Sequence, residues 1–391
     1  MGFSKMDRLL EKYTKTTVPG CACVIMKDTE PIYEGYFGYA DIEEKKPIHE
    51  HSIFRQASTT KLFTYAICMM LYESGEFLLS DPLYEYLPEW RNTQKFTTLP
   101  NGEVVVVPVE KPVTIMHALT MACGMPYCHN PIPGTPVNPT LRAMNEVMTE
   151  LCKDGYIPTL REEVRAMSNV PIMFEPGTHW QYGFGSEIVG ALVEEITGKT
   201  VRQNMIERII EPLGLKDTAT LLDEEMAKRL VCNYAVEDGK LTKIPSEQDA
   251  RILVGSVPEG SRANLNASCK DFAVFMSMLA NGGVYKGERF LGRKTIELMS
   301  TNYLNEDQLK DYHNTYLAGY GYGLGFRTLM DKAGGNHNGS IGAFGWTGGT
   351  GIWAESDPVE NVAIVYMHNT RPNQEEYHHL RVRAVAYGCL D

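Results

Sequence analysis

The chain has 391 residues, 43% hydrophobic and 22% charged, which is typical of a folded globular protein long enough for a large core. Its formal net charge of −12 argues against nucleic acid or an anionic membrane as a partner, because both are bound by concentrated lysine and arginine. The amino terminus lacks the apolar core of a signal peptide, and no later stretch reaches the roughly 20 apolar residues of a spanning helix, so a cytoplasmic location is predicted.

The cysteines are nine in number and scattered, which favours reduced thiols over a disulfide framework. No Cys/His spacing in the chain is typical of a zinc site. We therefore predict neither structural disulfides nor a structural metal.

Near the amino terminus, residues 20–40 contain two apolar, β-rich segments around the polar turn Lys27-Asp28-Thr29-Glu30. This pattern predicts an antiparallel hairpin. Further on, apolar residues recur at helical spacing after Ser58 until Gly75, which predicts a helix directly behind this serine.

Ser58 and Lys61 are three residues apart at the start of that predicted helix. Residues i and i+3 share a helix face, so the serine Oγ would lie near the lysine, and a lysine whose pKa is lowered by burial could take the serine proton. The alternative is an ordinary helix N-cap, since about one S-x-x-K is expected by chance in a chain of this length.

The middle of the chain, to about Asn169, is rich in proline and turn residues and predicts a loop-rich insertion with a short helix over 114–121. Two amphipathic helices follow, over 187–199 and 268–283, and glycines end both.

The carboxyl end predicts three strands, YGYGLGFRTL, GWTGGTGIWAES and ENVAIVYMHN, followed by the helix EEYHHLRVRAVAYG. Strands at both ends of the chain predict one sheet built from both termini. We therefore predict a single domain over 1–391, in which 1–57 and 285–391 form an α/β part and 58–284 form a mostly helical part, with a cleft between them.

Two other nucleophile signals are weaker. The stretch Asn338-Gly339-Ser340-Ile341-Gly342 imitates a G-x-S-x-G elbow but lacks the first glycine and a strand-to-helix context. The histidines offer no evident base for a Ser-His-Asp triad, and His337, His378 and His379 are expected at the surface.

The whole chain resembles the serine β-lactamase and penicillin-recognising superfamily, and it is most similar to the family VIII carboxylesterases. The resemblance follows eight stretches in order: GYFGYADIEEKKPI, SIFRQASTTK, LSDPLYEYLPEW, PVTIMHALTMACGMPY, EPGTHWQYGFGSEIVGALVEEITGK, LANGGVYKGERFL, YGYGLGF and GWTGGTGIWAESDP. It implies an α/β (α+β) fold of the β-lactamase/transpeptidase type, with an antiparallel sheet flanked by helices and an all-helical subdomain.

The resemblance also implies roles for three side chains. Ser58 would be the acylated nucleophile, Lys61 its proton acceptor or electrostatic activator, and Tyr182 the group that shuttles a proton between serine and leaving group. No metal and no organic cofactor is implied.

The third motif of the superfamily places a cation, a small residue and a glycine on a strand beside the serine, and here it is Trp346-Thr347-Gly348. The backbone N–H of the next residue, Gly349, would form the oxyanion hole together with that of Ser58.

Two positions depart from the pattern, and they depart in the same direction. Phe184 stands where the second motif commonly has asparagine, and Trp346 stands where the third motif has a cation that holds a substrate carboxylate. Substrate-binding residues Phe184, Trp346, Thr347 and Gly348 therefore suit an ester with a neutral, partly apolar acyl or alcohol part.

The predicted activity is that of a serine hydrolase, a carboxylesterase acting on small esters. A β-lactamase or D-amino-acid peptidase, an acyltransferase, and a non-catalytic penicillin-binding-like sensor remain alternatives. The predicted partner is a small-molecule ester or amide, and the oligomeric state stays open.

Overall fold

The computed structural model describes residues 2–128, 138–237, 239–245, 251–313 and 317–390. Residues 129–137 of the predicted loop-rich insertion lie outside this part of the chain.

The described strands are β1 (Gly20–Lys27), β2 (Glu30–Asp41), β3 (Lys46–Pro47), β4 (Ile53–Arg55), β5 (Gln94–Thr98), β6 (Val104–Pro108), β7 (Thr218–Ala219), β8 (Tyr234–Glu237), β9 (Lys240–Lys243), β10 (Asn266–Ser268), β11 (Val284–Tyr285), β12 (Glu288–Arg289), β13 (Tyr320–Tyr322), β14 (Arg327–Leu329), β15 (Phe344–Gly348), β16 (Ile352–Asp357), β17 (Val362–His368) and β18 (Thr370–Arg371).

The described helices are α1 (Ser4–Thr16), α2 (Thr60–Glu73), α3 (Ile115–Leu119), α4 (Pro139–Leu151), α5 (Leu160–Met167), α6 (Gly185–Thr197), α7 (Val201–Met205), α8 (Glu211–Leu213), α9 (Glu224–Ala227), α10 (Cys269–Ala280), α11 (Arg293–Met299), α12 (Glu306–Tyr312) and α13 (Glu375–Tyr387). A π-helical stretch, Ile206–Ile210, joins α7 to α8, and one short 3-10 turn, Ala57–Thr59, precedes α2.

One eight-stranded sheet organises the molecule, in the order β13-β14-β15-β16-β17-β1-β2-β3. Every neighbouring pair in it is antiparallel. The two ends of the chain meet where β1 pairs with β17, with Cys21 opposite His368 and Lys27 opposite Val362. The prediction of one sheet built from both termini is confirmed, while the division into two sub-regions stays a prediction.

Two of the predicted carboxyl-terminal strands are hairpins. YGYGLGFRTL folds into β13 and β14, and GWTGGTGIWAES folds into β15 and β16. The turns contain Gly325 at φ +90° and Gly351 at φ +99°. A Cβ at either position would lie within 2.3 Å of a neighbouring ring, that of Tyr65 or His368, so both turns require glycine. The prediction of single strands was therefore wrong.

The sheet has a hydrophobic core on each face, and β1 contributes alternate residues to the two. Cys21, Cys23 and Ile25 pack with the terminal helices α1 and α13. The residues between them face the larger core, which contains α2, α6 and α10. Helix α1 was not predicted, although its buried residues recur at helical spacing.

The histidines expected at the surface are buried. His378 stacks on Tyr13 at a centroid distance of 4.3 Å, and His337 Nε2 lies 3.0 Å from a carboxylate oxygen of Glu355. His379 is also buried, and among the described residues neither of its ring nitrogens has a hydrogen-bond partner. For His378 and His379 the expectation was wrong because α13 packs one face on the sheet. His337 is buried because Glu355 and the Tyr387 ring of α13 lie against it.

Burial lowers the pKa of His378 from the ordinary 6.5 to about 4, and it lowers the pKa of His379 as well. No helix of the described residues is both long and apolar enough to cross a membrane. The cytoplasmic location stays a prediction.

These histidines predict acid sensitivity of the fold. Because their pKa values are lower in the folded than in the unfolded chain, protonation favours unfolding, and the free energy of unfolding falls as the pH drops from 6.5 toward 4. The variant His379→Leu should lower the pH at which the protein unfolds, measured by circular dichroism. The exposed His49→Gln serves as the control, and equal acid transitions in the wild type and His379→Leu would contradict the explanation.

Candidate active site

Ser58 lies in the short turn Ala57–Thr59 between β4 and α2, where the end of β15 approaches the residues before the helix. Ala57, the residue before it, has a positive φ of 47°, a conformation that a non-glycine residue adopts only when its surroundings hold it there. Buried Gln56 provides that hold, since its N–H donates to the carbonyl of Leu265 and its own carbonyl accepts from the Thr59 hydroxyl at 2.8 Å. The residue that precedes α2 is Thr59, so the N-cap alternative for Ser58 is not what the structure shows.

Lys61 is in the first turn of α2 and is only 9% exposed. Its Nζ lies 5.3 Å from the ring centroid of Tyr127 and 5.4 Å from that of Tyr182. A cation at this distance from two aromatic faces is stabilised electrostatically where water cannot reach it.

The charge on Lys61 differs from the expectation. Burial lowers its pKa, but the neighbouring Tyr182, Glu187 and Tyr127 outweigh burial, and the pKa of Lys61 is raised. A raised pKa keeps the side chain an ammonium at neutral pH. The surrounding groups thus oppose the lowering of the Lys61 pKa that the sequence alone suggests from burial.

A buried network of charges supports that ammonium. Glu187, in the first turn of α6, accepts a hydrogen bond from Ser186 Oγ at 2.6 Å, and the Tyr127 hydroxyl lies 3.5 Å from both of its carboxylate oxygens. Arg262 Nη1 lies 3.8 Å from Glu187, and the same guanidinium donates to Glu163 at 2.7 Å. The network alternates in sign, so each buried charge has an opposite neighbour.

Sequence reasoning missed Tyr127, Glu187 and Arg262. A signal existed for the first two, because Tyr127 ends one of the matched stretches and Glu187 follows Tyr182 by five residues in another. For Arg262 the sequence contains no such signal, since this residue comes from a separate loop that only the tertiary fold brings to α6.

Tyr182 and Trp346 meet across the cleft. Trp346 Nε1 donates a hydrogen bond to the Tyr182 hydroxyl oxygen at 3.2 Å, and the two rings lie 5.4 Å apart. The tryptophan thus supplies a neutral N–H donor to the oxygen that is predicted to carry protons, at the position where the superfamily has a cation.

The backbone around Tyr182 explains how the two tyrosines come together. A Cβ at Gly183 would lie 1.9 Å from the carbonyl oxygen of Met125, so the segment that carries Tyr127 can pass this close only over a glycine. The N–H of Phe184 donates to the same carbonyl at 2.9 Å. Tyr127 and Tyr182 consequently stand 5.6 Å apart, edge to face.

Phe184 is 3% exposed, and its ring packs against Tyr127 at 4.8 Å with the Arg262 guanidinium 5.3 Å from its centroid. This burial favours a supporting role beneath Tyr127 over a direct contact with substrate.

Strand β15 carries the third motif to the turn that contains Ser58. A Cβ at Gly348 would lie 2.6 Å from the carbonyl oxygen of Gln56, so this position needs glycine for the strand to approach the turn. Thr350 Oγ1 donates to the carbonyl of Arg55 at 2.6 Å and ties the end of the strand to the residues before Ser58. Gly349, the predicted oxyanion donor, is exposed, and a Cβ there would meet nothing within 4 Å, which leaves room for a substrate.

Thr347 is held from behind by the start of α13. Its hydroxyl donates to Glu375 at 3.0 Å, and Glu375 pairs with the buried Arg327 at 3.1 Å. Thr347 of the third motif thus has the Glu375 carboxylate beside it, and the buried Arg327 balances the charge of that carboxylate.

The fold and this cleft define a class, the β-lactamase/transpeptidase-like serine hydrolases. The sequence profile of the family described as Beta-lactamase matches residues 6–387, and the chain belongs to that family. The predicted family, fold class and serine hydrolase class are confirmed.

Known proteins similar to this chain include esterases. Esterase EstB from Burkholderia gladioli is 30% identical over 202 residues, which cover 51% of this chain and 46% of that protein. The solved structure of EstCE1, a hydrolase with promiscuous acyltransferase activity, superposes with a TM-score of 0.80 at 22% identity and covers 99% of this chain and 98% of that one. The solved structure of unliganded simvastatin synthase from Aspergillus terreus superposes with a TM-score of 0.78 at 20% identity and covers 98% of this chain and 97% of that one.

The hydrogen bond from Trp346 can be tested by removing only its donor. Trp346→Phe keeps an aromatic ring but loses Nε1, and we expect kcat for an ester to fall about tenfold, the effect of one lost hydrogen bond of about 1.4 kcal/mol in the transition state. KM should change little. Steady-state kinetics measure both values.

Trp180→Phe is the matched control. Trp180 stacks on Tyr182 at 6.2 Å, and its Nε1 has no hydrogen-bond partner among the described residues. Equal losses in the two variants would show that ring packing, and not the N–H donor, is what Trp346 contributes.

Proposed function

We propose that the protein is a carboxylesterase that forms an acyl-enzyme on Ser58. The observation that carries the proposal is the position of Tyr182, whose ring lies 5.4 Å from the Lys61 Nζ and whose oxygen accepts the Trp346 N–H. The names of the esterase relatives support the same activity.

In the reactive form, the pair of Lys61 and Tyr182 holds one proton fewer than it can carry. Lys61 favours its ammonium form, and Trp346 Nε1 donates a hydrogen bond to the Tyr182 oxygen, so we propose that Tyr182 is the member of the pair that accepts the serine proton. Lys61 is then the electrostatic activator and Tyr182 the proton acceptor.

The reaction follows from this assignment. As Ser58 Oγ attacks the ester carbonyl carbon, Tyr182 takes the serine proton, and the carbonyl oxygen gains a negative charge that the Ser58 and Gly349 N–H groups hold. The bond to the alcohol oxygen then breaks, and Tyr182 gives its proton to that oxygen. Water attacks the acyl group on Ser58 by the same steps in reverse order, and the acid leaves.

Esters are favoured over penicillin-like acids by the third motif. Trp346 supplies no positive charge there, and Glu375 places a carboxylate on Thr347. A substrate carboxylate at this position would meet a like charge, so Trp346, Thr347 and Gly348 are proposed to contact a neutral part of an ester.

Acyl transfer to an alcohol is the second candidate. It is supported by the name of EstCE1 and by the wall of aromatic rings at Tyr127, Tyr182 and Trp346, which shields the acyl-enzyme from water. An added alcohol that yields a new ester, at the expense of free acid, would favour this candidate.

Hydrolysis of p-nitrophenyl butyrate tests the nucleophile. We expect Ser58→Ala to abolish turnover and Tyr182→Phe to reduce kcat by about a thousandfold or more, because one loses the acylated oxygen and the other the proton acceptor. Ser74→Ala, an exposed serine at the far end of α2, should retain full activity.

Two outcomes would contradict the esterase proposal. Equal rates in the wild type and Ser58→Ala would favour the non-catalytic sensor. Ser58-dependent turnover of nitrocefin with no ester hydrolysis would favour the β-lactamase.

The role of Lys61 predicts a pH effect. Glu187 is one of the groups that raise the pKa of Lys61, so Glu187→Gln should lower that pKa. If activity needs the ammonium, the alkaline loss of kcat/KM should begin at a lower pH in the variant than in the wild type. A variant that is instead faster than the wild type at neutral pH would show that neutral Lys61 is the base.

A further inference from the structure

A chamber with a volume of about 270 Å³ lies beside the turn that contains Ser58. It is lined by residues from β4, β10, β18 and the loops around them, among which are Arg55, Ile244, Ile252, Leu265, Asn266 and Arg371. Such a volume suits a short chain of carbon atoms with a polar end.

The chamber adjoins both predicted oxyanion donors. Ala57 directly precedes Ser58, and Thr350 directly follows Gly349. Tyr182, Trp346 and Tyr127 do not line it. Because Tyr182 is proposed to protonate the leaving alcohol, the alcohol belongs on the aromatic side, and the acyl chain is the part that can extend into this chamber.

One residue that lines the chamber, Asn266, has a buried donor without an acceptor. Asn266 is 1% exposed, and its amide Nδ2 has no hydrogen-bond partner among the described residues. A buried N–H group without a partner is unfavourable and rare. This Nδ2 is not itself accessible from the chamber, so it would reach an acceptor on a ligand there by rotation of the Asn266 amide.

Arg371, at the end of β18, brings a positive charge to the same chamber. Arg55 also lines it but donates to the carbonyl of Val231, so we do not count on it to bind a ligand. The described lining contains no aspartate or glutamate, while Ile244, Ile252 and Leu265 provide apolar wall for a carbon chain.

We infer that this chamber binds a carboxylate at the far end of the substrate's acyl chain, with Asn266 and Arg371 as its donors. The preferred substrate is then a half-ester of a dicarboxylic acid. This inference rests on the proposed esterase function. It changes the expectation of a wholly neutral substrate, because Arg371 would supply a positive charge to the acyl part of the substrate. The superfamily instead has its cation at the position of Trp346.

Competition between matched esters tests the inference. The monoethyl esters of glutaric, adipic and pimelic acids are compared with the ethyl esters of uncharged acids of the same chain length, and the released acids are measured by chromatography. We expect the wild type to prefer at least one half-ester by about tenfold in kcat/KM, the effect of a charged hydrogen bond. No preference for any half-ester would overturn the inference.

Two variants locate the binding group. Arg371→Gln and Asn266→Leu should each remove most of the preference while leaving kcat/KM for the neutral esters nearly unchanged. Arg165→Gln, an exposed arginine on α5, makes the same change in net charge and should keep the preference. A preference that survives both chamber substitutions would overturn the inference.

Failure of the inference differs from failure of the esterase proposal. Neutral esters hydrolysed by the wild type and not by Ser58→Ala, with no preference for half-esters, would overturn the inference alone. Absence of Ser58-dependent hydrolysis of every ester would overturn both.

Discussion

The cleft depends on one buried ammonium held between two tyrosine rings. An isolated charge in a protein interior is costly, and Lys61 can stay charged only because aromatic faces, Glu187 and the oppositely charged neighbours beyond it compensate for the lost water. This requirement links elements that are far apart in sequence, since α2 supplies the lysine, α6 the glutamate, and separate loops supply Tyr127 and Arg262. On the helical side of the cleft, the side chains of Tyr127, Tyr182 and Glu187 therefore surround the Lys61 ammonium.

The sheet side of the cleft is built by close backbone approach instead of charge. Glycine at 348 lets β15 approach the carbonyl of Gln56, and the Thr350 hydroxyl holds the end of the strand against Arg55. Trp346, on the same strand, then reaches Tyr182. Tyr182 is therefore contacted from both sides, by the Lys61 cation on the helical side and by the Trp346 N–H donor on the sheet side.

Much of the architecture was predictable, and the errors have physical causes. The amino-terminal hairpin and the glycine-ended helices follow from local patterns of apolar spacing and turn residues. The sequence of the two carboxyl-terminal hairpins predicts single strands because their turns are glycines inside otherwise β-rich runs. Only the tertiary structure shows that a side chain at either glycine would collide with Tyr65 or His368. His378 and His379 look exposed in a polar tail, yet that tail covers the sheet.

By itself the sequence determined the family, the antiparallel sheet built from both termini, and the positions of Ser58, Lys61, Tyr182 and Trp346 as the candidate machinery, because order of motifs and local periodicity are properties of neighbouring residues. Only the tertiary structure decided the charge on Lys61, the burial of Phe184, and the meeting of Asn266 and Arg371 in one chamber. Each of these depends on the sum of electrostatic and packing contacts from segments more than 50 residues apart, and no local pattern records that sum.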